Sequence, residues 1–199
     1  ESFALLEKYK IPIAKYEIIR NASELKKAIA RVGFPLAMKI VAEKAVHKTE
    51  LNGIKLNISS IEEAEKAFNE LKKIKECKAV MLQEMVNGVE LIIGSKQDVQ
   101  FGQTILFGFG GVFVELLKDY AIRIIPITKA DVEEMINELK AKQLLFGYRN
   151  IEPINMEKLK ETILKASRMV ESEKIKELDI NPLIANSKEV KAVDVRIVK

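Results

Sequence analysis

At 199 residues, 48% apolar and 31% charged, the chain can bury the core of one domain or of two tightly joined lobes. Its net charge of +4 comes from lysines interleaved with glutamates, and with 6% aromatics no basic cluster is spaced to read bases, so nucleic-acid binding is set aside. No uncharged apolar run is long enough for a bilayer, the first residues show no signal-peptide pattern, and Cys77 has no second cysteine to pair with. The expectation is a cytoplasmic protein with no membrane partner.

The order of elements predicts an α+β chain. Ser2 to Tyr9 reads as a short amphipathic helix stopped at Ile11-Pro12, and Ala14 to Ile19 as a strand. Asn21-Ala22-Ser23-Glu24 has the N-x-x-E form of a helix start, with the helix running to Val32 and Gly33 closing it. An apolar run from Leu36 to Val41, broken only by Lys39, and a β-rich run from Ile54 to Ile58 bracket a polar link that carries His47. Ser60-Ile61-Glu62-Glu63 opens a helix with Ala64, Ala67, Phe68, Leu71 and Ile74 on one side. Ala79 to Leu82 is a short buried strand and Gln83 to Gly88 a crossing, which divides the chain into a smaller lobe, 1–84, and a larger one, 85–199.

From Val89 to Ile127 β-formers dominate, with turn signals at Lys96-Gln97-Asp98, Gly108 to Gly111 and Lys118-Asp119-Tyr120, the pattern of an antiparallel sheet. Helices are predicted from Thr128 to about Ala141 and from Met156 to about Glu171, and strands over Ile175–Ile184 and Val190–Val198.

Several residues are candidates for chemistry. A lysine inside an apolar strand, as Lys39 is, has to aim its ammonium at an anion or at water, so it reads as a phosphate-binding cation or as an edge-strand guard. His47, the only histidine, titrates near neutrality. Lys44 and Lys48 beside it favour the neutral imidazole a nucleophile needs, with a plain loop histidine as the alternative. Glu115 and Arg123 face each other if Lys118-Asp119-Tyr120 is a hairpin loop, as an ion pair or as part of an active site. Gly108-Phe109-Gly110-Gly111 lies between strands, which predicts a bulge or a close backbone approach, not a nucleotide-binding glycine loop.

The last hairpin offers a metal site. A loop over Asn186 to Glu189 pairs Ala185 with Val190, so that Asn181 faces Asp194 and Asp179 faces Arg196. Strand alternation gathers those four on one face and Leu178, Ile180, Val193, Val195 and Ile197 on the other. Opposed residues hold their Cβ atoms roughly 5 Å apart. That lets Asn181 and Asp194 share a Mg²⁺ ion, which prefers oxygen ligands and keeps several waters. A solvated sheet face is the alternative.

Taken in order, Gly33-Phe34-Pro35-Leu36-Ala37-Met38-Lys39-Ile40, His47-Lys48-Thr49, Val80 to Met85, Phe107 to Glu115 and Asp179-Ile180-Asn181-Pro182-Leu183 carry a resemblance. They resemble the ATP-grasp β subunit of the ADP-forming acyl-CoA (acetyl-CoA) synthetases, relatives of succinyl-CoA synthetase. Leu144 to Arg149 points to the acetyl-CoA branch, and the resemblance covers essentially the whole chain.

The resemblance implies an ATP-grasp fold of two α+β lobes with a nucleotide cleft between them, and reversible conversion of acyl-CoA, ADP and phosphate into free acid, CoA and ATP. It puts Lys39 on the nucleotide phosphates, Gln83, Glu84, Met85 and Val86 along the adenine, and Glu90 on the ribose. Asn181 and Asp194 would hold Mg²⁺ with Asp179 close by, and His47 would accept the phosphoryl group and pass it to ADP. Glu115 and Arg123 match further catalytic positions. A CoA-binding α subunit is the implied partner in a hetero-oligomer. The chain departs from the commoner family pattern at Glu50, Asn52, Asn87 and Asn150. Two rival readings are a silent ATP-grasp module of a fused acyltransferase and an ATP-grasp carboxylate ligase that needs no phosphohistidine.

Overall fold

The structure is a computed structural model describing residues 2–42, 52–111 and 118–199; His47 and Glu115 lie outside the described residues. The chain forms two units, one of Ala14–Val86 and one of Glu1–Ile13 with Asn87–Lys199. The expected boundary near residue 84 is thus two residues early. The expected assignment of the N-terminus also differs, because the first helix, α1 (Ser2–Lys8), belongs to the larger unit. Leu6 and Ile11 are buried in that unit's core, and each fully buried side chain of this size contributes about 2 kcal/mol.

Glu173 ties the docking down. It accepts from Lys8 Nζ at 2.6 Å, from Tyr9 Oη at 3.1 Å and from Lys199 Nζ at 2.8 Å. Hydrogen bonds from Lys199, Lys8 and Tyr9 hold its carboxyl down at about 2, from an ordinary 4.5. A depressed carboxyl stabilises the fold fully above its unfolded pKa and loses that contribution as pH falls through the folded one. Glu173→Gln is therefore expected to lower the melting temperature at neutral pH, with the gap to wild type closing between pH 4.5 and about 2. A pH-independent gap in thermal melts would refute this.

The smaller unit is a four-stranded antiparallel sheet in the order β1-β4-β2-β3, from β1 (Tyr16–Ile19), β2 (Leu36–Val41), β3 (Ile54–Ile58) and β4 (Ala79–Glu84). One face is covered by α2 (Leu25–Val32) and α3 (Ile61–Lys72) through Leu25, Ala28, Ile29, Ala64, Phe68 and Leu71. Both helix starts follow from the sequence. The Glu24 carboxylate accepts from the Arg20 and Asn21 amides at the turn before α2. Ser60 Oγ accepts from Glu63 N–H at 3.1 Å, a cap worth about 1 kcal/mol.

The larger unit is built on a six-stranded antiparallel sheet of β5 (Val89–Asp98), β6 (Gly102–Phe109), β7 (Tyr120–Ile124), β8 (Glu177–Ala185), β9 (Val190–Ala192) and β10 (Val195–Val198). The order is β10-β8-β5-β6-β7, with β9 pairing β8. α1, α4 (Lys129–Glu138), α5 (Gln143–Phe146) and α6 (Met156–Glu173) cover one face, around Leu91, Ile93, Phe107, Met135, Ile163 and Ile180.

Two boundaries shift for visible reasons. β5 runs through the predicted turn at Lys96 to Asp98, and the chain reverses after it, where the Asp98 carboxylate accepts from Gln100 and Phe101. α4 ends at Glu138, not Ala141, because buried Asp119 takes the Lys140 and Ala141 amides at 2.8 Å each. Among the described residues no helix is long and apolar enough to cross a membrane.

Candidate nucleotide and metal site

β2 lies between β4 and β3, so Lys39 is no edge-strand guard. Leu36, Met38 and Ile40 point to the helices; Ala37 and Lys39 point to the opposite face. On that face Gln83 stands directly across from Ala37 and Met81 across from Lys39. Lys39 is only 7% exposed, and its Nζ donates to Gln83 Oε1 at 2.7 Å. Gln83 to Val86 is not a loose crossing. Gln83 and Glu84 end β4, Glu84 exchanges hydrogen bonds with Lys15 through both its amide and its carboxylate, and Met85 N–H donates to Pro35 O at 3.2 Å. Val86 is buried.

The last hairpin keeps the expected register: Ala185 pairs with Val190, Ile180 with Val195 and Asp179 with Arg196. Asn181 N–H donates to Asp194 O at 3.3 Å. The alternation, however, breaks. Leu183, Ala185, Val190 and Ala192 face the core at the turn end, and Leu178, Ile180, Val195 and Ile197 at the other end. Val193, expected among the inward residues, is replaced there by Ala192, and its N–H donates to Pro182 O at 3.0 Å. The inward parity therefore changes on both strands at the same level, with a matching register shift on β5 between Leu91 and Ile93. Because both strands carry the irregularity, pairing survives while alternation does not. Asn181 and Asp194 sit at this break.

Asp179 is half-buried beside them. Burial first, then the Asp194 and Glu177 carboxylates, push its pKa up against the opposing pull of Arg196. Its buried Oδ1 has no hydrogen-bond partner. Asp194 Oδ1 accepts from Val195 N–H at 2.9 Å, and Asn181 Oδ1 from Gly111 N–H at 3.3 Å. Among the described residues no three His, Cys, Asp or Glu side chains converge, so this set is two carboxylates and an amide oxygen. An unsatisfied buried carboxylate oxygen beside a second carboxylate fits a hard cation with oxygen preference, as Mg²⁺ is.

Gly110-Gly111 is the predicted close approach. Gly110 N–H donates to Glu90 O at 2.8 Å, and a Cβ at Gly110 would stand 2.6 Å from the Leu91 carbonyl oxygen. Gly111 has a positive φ of 61°, and a Cβ on it would collide with the Glu90 carboxylate. One glycine thus touches both exposed Glu90 and Asn181. Beside Glu90 the larger unit has a cavity of about 750 Å³, lined by Val89, Phe109, Leu144, Ile151 and Ala185 among others. Sequence reasoning missed this cavity; the apolar residues Leu144, Leu145, Phe146 and Ile151 between the two longer helices were the available signal.

Arg123 lies on β7. Across the sheet it faces Ile105, and its guanidinium pairs with Glu138 and, at 3.3 Å, Glu134 on α4. Glu134 and Glu138 are one helical turn apart, so both reach the same cation. The expected partner Glu115 lies outside the described residues.

Two antiparallel sheets, each with helices on one face, a buried lysine on the helix-free face of one and an acid–amide cluster on the hairpin of the other define the class. The chain belongs to the ATP-grasp family, whose domain it matches over residues 1–198. Within it, the chain is similar to the β subunit of acetate–CoA ligase (ADP-forming) I of Pyrococcus furiosus, at 39% identity over 207 residues covering 100% of this chain and 89% of that protein. It is also 39% identical to acetate–CoA ligase (ADP-forming) II of Archaeoglobus fulgidus, covering 100% of this chain but 29% of that longer polypeptide.

Among solved structures it is similar to acetyl-coenzyme A synthetase 1 of Ca. Korarchaeum cryptofilum. The complex of that protein with coenzyme A, Ca-AMPCP and HgCl⁺ matches with a TM-score of 0.93 at 40% identity, covering 100% of this chain and 90% of that chain. Its complex with coenzyme A and Mg-AMPPCP, in which the phosphohistidine segment points towards the nucleotide binding site, matches with a TM-score of 0.87 at 40% identity and the same coverage.

Proposed function

We propose that this chain is the nucleotide-handling β subunit of an ADP-forming acyl-CoA synthetase. With a CoA-binding α partner in a hetero-oligomer it converts acyl-CoA, ADP and phosphate into carboxylate, CoA and ATP, in the cytoplasm. The observation that carries this is the full-length similarity to a synthetase with a phosphohistidine segment, in a chain whose one histidine is His47.

In this reading the partner forms an acyl phosphate and takes its phosphoryl group onto a histidine of its own, and the His47 imidazole attacks that phosphorus. One N–P bond forms at His47 as the N–P bond on the partner breaks. A terminal phosphate oxygen of ADP then attacks the phosphohistidine, giving ATP and restoring the neutral ring. Such a transfer passes through a loose, highly charged transition state, so the protein works by positioning and by neutralising charge. Lys39 supplies a fixed cation to the phosphates, Gln83 to Val86 contact the base, and Glu90 takes the ribose hydroxyls. Asn181 and Asp194, with Asp179 beside them, hold Mg²⁺, which when bound neutralises phosphate oxygens. Arg123, engaged by two glutamates, is assigned to holding α4 on the sheet; Glu115 keeps the catalytic position that the resemblance gives it.

The test is to incubate the chain with Mg²⁺ and ATP labelled on its γ-phosphate, with and without the α partner. The expected result is acid-labile label on the peptide containing His47 that returns to ATP when ADP is added. Label on another residue, or none under either condition, overturns the proposal.

A further inference from the structure

The Lys39–Gln83 contact says more about the nucleotide than the roles above, and it rests on that reading for the identity of the ligand. Gln83 has no exposed surface and lies on the helix-free face of its sheet. Directly opposite is Ala37, whose short side chain lets the glutamine reach diagonally to Lys39. Gln83 Oε1 accepts from Lys39 Nζ at 2.7 Å. An ammonium has donors only, so this contact settles the orientation of the amide: oxygen towards Lys39, and Nε2 as a donor pointing elsewhere. Nε2 is buried and has no hydrogen-bond partner. Buried amide donors are almost always paired in native proteins. An unpaired one, held beside a cation, marks the place where a ligand's lone pair arrives.

We propose that Gln83 has two tasks, positioning the Lys39 ammonium through Oε1 and donating from Nε2 to an acceptor atom of the bound nucleotide. A glutamine suits this better than a glutamate. A carboxylate would grip Lys39 more firmly, but it would cancel the lysine's charge and turn a second lone pair towards an incoming polyanion. A methionine has the length and can do neither task.

The experiment compares wild type, Gln83→Glu and Gln83→Met in the complex with the α partner, measuring ADP affinity by calorimetry, KM for ADP, kcat and melting temperature. Loss of an interaction made equally in ground and transition states raises KM more than it lowers kcat. Gln83→Glu is expected to raise KM for ADP by about tenfold or more with a smaller fall in kcat, as removal of a charge-linked hydrogen bond does. Gln83→Met should lower kcat further, because Lys39 is then no longer held.

The acceptor is either a phosphate oxygen or N7 of the purine ring, and 7-deaza-ADP separates them. A wild-type-to-Glu gap that shrinks with this analogue assigns the donor to the ring nitrogen, and an undiminished gap assigns it to phosphate. Gln83→Glu with a wild-type KM for ADP, or variants whose kinetics merely follow their melting temperatures, overturns the proposal. A wild-type complex that binds no ADP overturns the nucleotide reading itself.

Discussion

Replacement of His47 by alanine is expected to abolish ATP formation from acyl-CoA, ADP and phosphate in the assembled synthetase while ADP still binds. The imidazole is the covalent carrier in the proposed relay, and the groups assigned to ADP are other side chains. Losing it should remove turnover by about 10⁴-fold or more, the scale on which a missing nucleophile is felt. A coupled assay for ATP and a calorimetric titration with ADP measure the two halves. Turnover that survives the substitution would mean that the phosphoryl group passes directly or through another residue. Loss of ADP binding together with turnover would mean that His47 belongs to the nucleotide site itself.

The second large effect is at Lys39. Lys39→Met should cut kcat/KM for ADP by about 10²–10³, the cost of removing one fixed donor from a charged transition state. Methionine matches the lysine stem in length and buries no charge, which offsets the cost of leaving buried Gln83 Oε1 without its donor, so the melting temperature should change little. That split is the informative part: a structural lysine would lose stability, and a phosphate-binding one loses rate. Arginine should not restore activity, because a planar guanidinium cannot take the place of a compact ammonium on a filled sheet face. Retained kcat/KM in Lys39→Met would remove the lysine from the mechanism.

Much of the hairpin site was legible because local chemistry sets it. Asn186 accepts from the Lys188 and Glu189 amides, so the turn closes where an Asx signal predicts and the register follows from Ala185 opposite Val190. The break in alternation beside Asn181 and Asp194 was not legible. It depends on both strands being irregular at one level, and a period-2 count on either strand alone assigns Val193 inward. Arg123 shows the same limit. A strand-based argument looks for a partner across the ladder, whereas its glutamates come from α4, eleven and fifteen residues further along.

Lys39 was legible as an anomaly, a cation in an apolar run, but its contact with Gln83 depends on the order β1-β4-β2-β3, which no local pattern contains. The amphipathic pattern of α1 shows that it docks and not against what, so assigning it to the nearer lobe was the natural error.

That docking bears on how the chain is made. The unit from Ala14 to Val86 is contiguous, so during synthesis its four strands and two helices can close on one another before most of the remaining chain exists. α1 is made earlier but has to wait for Glu173 and for Ala192, whose amide donates to Pro12 O at 2.9 Å. Joining contacts this far apart carries the larger loop-closure cost and the slower step. Until then the apolar side of Leu6 is an unmatched surface on the nascent chain, a stretch for chaperones to shield and for aggregation to exploit.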